Sequence, residues 1–107
     1  MQKEKYYSKI SENLNLSLKS VKNTIHLLDD GATIPFISRY RKEATGSLDE
    51  TQISDIKETL SQLFEIDKRR EAILKSIDDQ DLLSDELKSK IEAAASLTEL
   101  EDLYLPY

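Results

Sequence analysis

The sequence predicts an all-α fold of five to six helices with one long central helix. Three observations carry that prediction. Apolar residues recur at three-four spacing along nearly the whole chain. Val21 is the only valine, so the β-branched supply rests on isoleucine and threonine, most of them at helical spacing. Two glycines and two prolines leave little material for hairpin turns.

Each element follows from its own signals. Tyr7, Ile10 and Leu14 predict a first helix over roughly residues 3–14, broken at Asn15-Leu16. Ser17 is suited to cap the second, because its hydroxyl accepts from an amide that lacks a helical partner. Leu18, Val21, Ile25 and Leu28 then repeat as far as Asp29-Asp30, with Gly31 as the left-handed residue that ends the helix. Thr33 caps a third, short helix with Pro35 in its first turn, where a missing amide hydrogen costs nothing. Phe36, Ile37 and Tyr40 give this helix an apolar side, Arg39, Arg41 and Lys42 a basic one, and Thr45-Gly46 stops it. The second and third helices, over residues 17–42, form a possible helix-turn-helix-like element.

Ser47-Leu48-Asp49-Glu50 matches a capping box for the long helix, expected over about residues 49–78. Its seam is Ile53, Ile56, Leu60 and Leu63, then Ile73-Leu74 and Ile77. Asp67-Lys68-Arg69-Arg70 interrupts it, so either the helix bends there or the segment projects past the core. Ser84 caps a helix bearing Leu87, Ile91, Ala94 and Ala95. Thr98-Glu99-Leu100-Glu101 reads as a second capping box opening a last short helix, and Pro106 leaves Tyr104–Tyr107 extended.

The length of 107 residues suits one helical domain over 1–107, and 38% hydrophobic residues at regular spacing argue against disorder despite 34% charged. With no cysteine and one histidine there is no disulfide, no thiolate or clustered-histidine metal site and no cysteine nucleophile. No run approaches the roughly eighteen apolar residues of a membrane span, and the N-terminus lacks the apolar core of a secretory signal. A cytoplasmic location without membrane contact is therefore expected.

No catalytic grouping is legible. Most Ser and Thr sit at helix starts, where capping explains them, and His26 has no Ser-His-Asp company. Asp29-Asp30 and Asp78-Asp79 with Asp81 read as solvated helix ends, so no metal and no cofactor are expected. The net charge of −6 hides an asymmetry: residues 1–46 carry eight Lys/Arg against five Asp/Glu, and residues 47–107 carry seven against sixteen. Within the basic front, Arg39-Tyr40-Arg41-Lys42 places three cations and an aromatic in one helical turn. Guanidinium groups pair with phosphate and tyrosine stacks on bases. Lys19 and Lys22 lie at i, i+3 on the preceding helix. Arg39, Arg41, Lys42, Lys19 and Lys22 are therefore the candidate nucleic-acid contacts. The competing reading pairs Arg39 with Glu43 at i, i+4 and buries Tyr40. Lys68-Arg69-Arg70, flanked by Glu65, Asp67 and Glu71, reads as a solvated face or a contact to an acidic neighbouring domain.

The run Gly31-Ala32-Thr33-Ile34-Pro35-Phe36-Ile37-Ser38-Arg39-Tyr40-Arg41-Lys42-Glu43-Ala44-Thr45-Gly46-Ser47-Leu48-Asp49-Glu50 resembles the signature of the Tex family of bacterial transcription accessory proteins. The likeness continues through Glu71-Ala72-Ile73-Leu74 to Leu100–Tyr107. The resemblance implies a much longer, several-domain protein with an RNase H-like fold, helix-hairpin-helix modules and an RNA-binding β-barrel, of which this chain is the start of the helical N-terminal region. It carries no catalytic residue into the matched run. It implies a non-enzymatic domain that assists RNA or DNA binding within the full-length protein. The alternative is a scaffold that touches no nucleic acid and packs on other domains of that protein or on the transcription machinery.

Overall fold

A computed structural model describes residues 4–107. The start of the first helix at position 3 lies outside the described residues. These form helices and no strand: α1 (Glu4–Leu14), α2 (Leu18–Asp29), α3 (Ile34–Tyr40), α4 (Lys42–Thr45), α5 (Glu50–Asp79), α6 (Asp85–Ala93) and α7 (Leu97–Tyr104). The all-α expectation holds. There is one helix more than expected because the third divides at Arg41, whose backbone (φ −125°, ψ 37°) leaves the helical region. The chain forms two compact units, Met1–Gln62 and Leu63–Tyr107.

In the first unit the apolar stripes of α1 and α2 face each other. Tyr6, Tyr7 and Ile10 are buried with Val21, Thr24 and Ile25, and Ile37, Thr45, Leu48, Ile53 and Ile56 complete the buried set. Ser17 caps α2 by accepting from the Ser20 amide at 3.1 Å. Gly31 (φ 95°) ends it: its amide donates to the Leu28 carbonyl and that of Ala32 to the Leu27 carbonyl. Thr33 caps α3 through the Phe36 amide at 3.3 Å. The connection Asp30–Thr33 therefore joins α2 to α3 as a short helix-turn-helix link.

The predicted capping box of the long helix is displaced by two residues. Ser47 is left-handed (φ 68°) with its amide donating to the Lys42 carbonyl, and the Leu48 amide donates to Thr45 Oγ1 at 3.2 Å. Neither residue can start a helix. Asp49 does so instead: its carboxylate accepts from the Gln52 amide at 2.8 Å, and the Gln52 side chain accepts from the Asp49 amide at 3.0 Å. Gly46 (φ 74°) makes the preceding turn close to α2, and a Cβ there would stand 3.1 Å from Ser20 Oγ.

In the second unit Ile73 and Ile77 of α5 cluster with Ile91, Ala94 and Leu100. Ser84 caps α6 as expected, accepting from the Leu87 amide at 3.1 Å. The last helix begins earlier than its predicted box. Ala94 and Ser96 are extended, Ser96 Oγ accepts from the Glu99 amide at 3.2 Å, and the Glu99 carboxylate reaches back to the Ala95 amide at 2.7 Å. Tyr104–Tyr107 forms a turn rather than an extended end, closed by the Tyr107 amide on the Tyr104 carbonyl at 2.9 Å.

The Asp67–Arg70 stretch interrupts the buried seam without breaking α5, and two of its three cations are engaged within the second unit. Arg70 donates to the carbonyls of Ile91 (3.0 Å) and Ala94 at the carboxyl end of α6, where a cation suits the helix dipole, and it pairs with Asp67. Arg69 grips Glu101 of α7 with two hydrogen bonds, 2.5 and 3.1 Å, and lies over the Tyr104 ring. Tyr104 in turn shares a 2.7 Å hydrogen bond with Ser76. Two of the three cations thus build the second unit.

Candidate nucleic-acid interface

The α3–α4 corner carries Arg39, Arg41 and Lys42. Ile37 is the one position of α3 that is fully buried, and it points the helix at the core of the first unit. A helix of seven residues has room for little more. Its other apolar residues are therefore displaced outward: Phe36 is 45% exposed and Tyr40 63%. Their rings meet at 5.4 Å and tilt by 48°. Tyr40 is thus not a core residue, and Phe36 is not on a buried side. The i, i+4 spacing of the two could show that they touch; it could not show that Ile37 alone would claim the core.

Arg39 and Lys42 are exposed and form no ion pair among the described residues. The anticipated Arg39–Glu43 pair is absent, since the helix breaks between them and an i, i+4 register no longer applies. Glu43 turns instead to Arg41, Nε to Oε1 at 2.7 Å, with side chains 41% and 67% exposed. That hydrogen bond, helped by one from the backbone, holds the Glu43 carboxyl below its ordinary range.

Lys19 and Lys22 are exposed on α2. The Asn23 side chain donates to the Ala44 carbonyl at 2.8 Å and ties α2 to α4. That bond links the helix of Lys19 and Lys22 to the helix of Lys42. The sequence offers Glu43 only as a partner for Arg39 and gives no sign of Asn23; the break at Arg41 is what turns Glu43 to Arg41 instead.

The other candidates stand apart. His26 is exposed, with its ring edge-on to Tyr7 at 6.1 Å. Asp29 closes α2; Asp78 and Asp79 close α5, and Asp79 pairs with Lys75 at 2.9 Å. The chemistry available at the α3–α4 corner is therefore cationic and aromatic: donors for phosphate oxygens on the same helical corner as a tilted pair of exposed rings.

The pattern of the Tex-like protein N-terminal domain matches residues 4–78. The chain is 53% identical over 98 residues to the transcriptional accessory protein Tex of Neisseria gonorrhoeae, covering 92% of this chain and 13% of that protein. It is 55% identical over 89 residues to protein YhgF of Escherichia coli strain K12, covering 83% of this chain and 12% of the relative. It is 32% identical over 98 residues to the human S1 RNA-binding domain-containing protein 1, covering 92% of this chain and 10% of the relative. The chain thus spans about an eighth of the length of its bacterial relatives. The resemblance read from Gly31–Glu50 is borne out: the chain belongs to the Tex-like family of transcription accessory proteins, by way of the family's N-terminal domain.

Proposed function

We propose that this is a non-enzymatic helical domain of a Tex-like transcription accessory factor that assists RNA binding. Arg39, Arg41 and Lys42 contact phosphate, and Lys19 and Lys22 extend the cationic surface along α2. The observation that carries the reading is the exposed Phe36–Tyr40 ring pair on the helix that ends in those cations. Aromatic faces beside guanidinium groups are how sequence-tolerant binders hold unstacked bases. The name of one relative refers to an RNA-binding domain, which fits an RNA ligand for the longer protein.

A scaffold that contacts only other domains or the transcription machinery is the second reading. It is favoured by the Arg41–Glu43 pair and by the net charge of −6, which repels polyanions at long range. A mobility-shift titration with single-stranded RNA at low salt separates the two. The wild-type chain binds, and the Arg39→Glu/Arg41→Glu/Lys42→Glu variant binds at least about tenfold more weakly, with affinity falling steeply as salt rises. Equal binding by the variant removes the basic corner, and no binding by the wild type favours the scaffold.

A further inference from the structure

Arg69 and Arg41 show two ways in which a carboxylate holds an arginine. Glu101 takes Arg69 with both oxygens, as a fork on a fork. Glu43 takes Arg41 through one hydrogen bond, from Nε alone, and among the described residues the terminal nitrogens of Arg41 have no hydrogen-bond partner. The pair runs from the break residue Arg41 to Glu43 in α4, two positions on, so no i, i+3 or i, i+4 register reinforces it. Both side chains are open to solvent, where an ion pair is screened and weak. A nucleic-acid phosphodiester offers the same charge on two non-bridging oxygens and engages a guanidinium bidentately.

We propose that Glu43 is a built-in competitor seated where a nucleic-acid phosphate would lie on Arg41, so that ligand binding displaces it and the corner grips one phosphate fewer until it does. The inference rests on the phosphate-binding reading of this corner and adds a positioning residue to it. Arg39 and Lys42 make the first contacts, since no carboxylate among the described residues holds them. Arg41 joins only when its Nε is released. Glu43 thereby tunes affinity downward and makes the corner selective for a ligand whose phosphate reaches Arg41, over one that merely sits in the cationic field.

The test is a titration of the 107-residue chain with a fluorescein-labelled oligouridylate across a salt series, using Glu43→Gln, Arg41→Gln, the double variant, Arg39→Glu/Lys42→Glu and Glu50→Gln. The last removes an exposed carboxylate at the start of α5 that pairs with no cation among the described residues, and so controls for net charge. Glu43→Gln is expected to bind about threefold more tightly, the scale set by a weak exposed pair. Its log-affinity against log-salt slope stays close to that of the wild type, because Arg41 reaches its phosphate in both complexes once Glu43 is displaced. The tightening vanishes in the Arg41→Gln background. Equal tightening by Glu50→Gln overturns the proposal in favour of a general charge effect. Wild-type binding that Arg39→Glu/Lys42→Glu abolishes but Glu43→Gln leaves alone also overturns it, while sparing the phosphate-binding reading. Absence of binding by wild type and Glu43→Gln alike overturns both.

Discussion

Thr24 places a hydroxyl in the core of the first unit with no hydrogen-bond partner among the described residues. A buried donor left unmade costs on the order of 1–3 kcal/mol, while an apolar group of the same shape costs nothing of that kind. Thr24→Val is therefore expected to stabilise the chain by about 1 kcal/mol. In urea the midpoint rises at unchanged slope; an unchanged or lower midpoint contradicts the assignment. Backbone conformation acts at the same scale. Asn15, Ser47 and Asp81 are left-handed without being glycine (φ 55°, 68° and 59°). Asn15 and Asp81 are residue types that enter this region readily; Ser47 is not, and its Ser-x-x-Glu pattern is a real capping signal that a left-handed residue cannot use.

Among the elements, α7 is held to α5 by contacts whose pH dependence has a definite sign. The Arg69 hydrogen bond keeps the Glu101 carboxyl below its ordinary value, and the same bond raises Arg69. A carboxyl depressed in the folded state adds stability above its unfolded pKa, and that stability is lost as pH falls through the folded value. Unfolding midpoints in urea are expected to be lower for Glu101→Gln than for wild type at neutral pH, and the gap closes as pH drops below the ordinary carboxylate range. A gap that persists in acid contradicts the ion pair as its cause. The effect is small, because both groups are solvent-exposed. α6 shows what lay beyond sequence reach at this scale. Its carboxyl end is capped by Arg70, twenty-one residues earlier than Ile91, and no local pattern announces a cap of that kind. Local caps were legible: Ser17, Thr33 and Ser84 act as their positions suggest.

Across the whole molecule the apolar seam of α5 does not translate into continuous burial. Ile53 and Ile56 are fully buried, as are Ile73 and Ile77, but no residue from 57 to 72 is, although Leu60, Leu63 and Ile66 keep helical spacing. Amides exchange fastest where few apolar contacts oppose local opening. Hydrogen exchange is expected to show slow amides around Ile53–Ile56 and Ile73–Ile77, with faster exchange in the middle of α5; uniform protection along the helix would contradict two separate cores. The charge follows the same division. The Leu63–Tyr107 unit holds six Lys/Arg and twelve Asp/Glu, whereas Met1–Gln62 holds nine of each. The cationic corner on the neutral unit therefore works within an acidic chain. The sequence by itself determined the helical class, the extent of α5, the caps at Ser17, Thr33 and Ser84 and the five candidate cations, because spacing and capping act over one to four residues. Tertiary structure alone decided that α3 breaks at Arg41, that Ile37 takes the core while Phe36 and Tyr40 face outward, and that Arg70 and Arg69 reach across to brace α6 and α7. Those outcomes depend on which of several equivalent side chains wins a place against a distant helix, and distance along the chain conceals that competition.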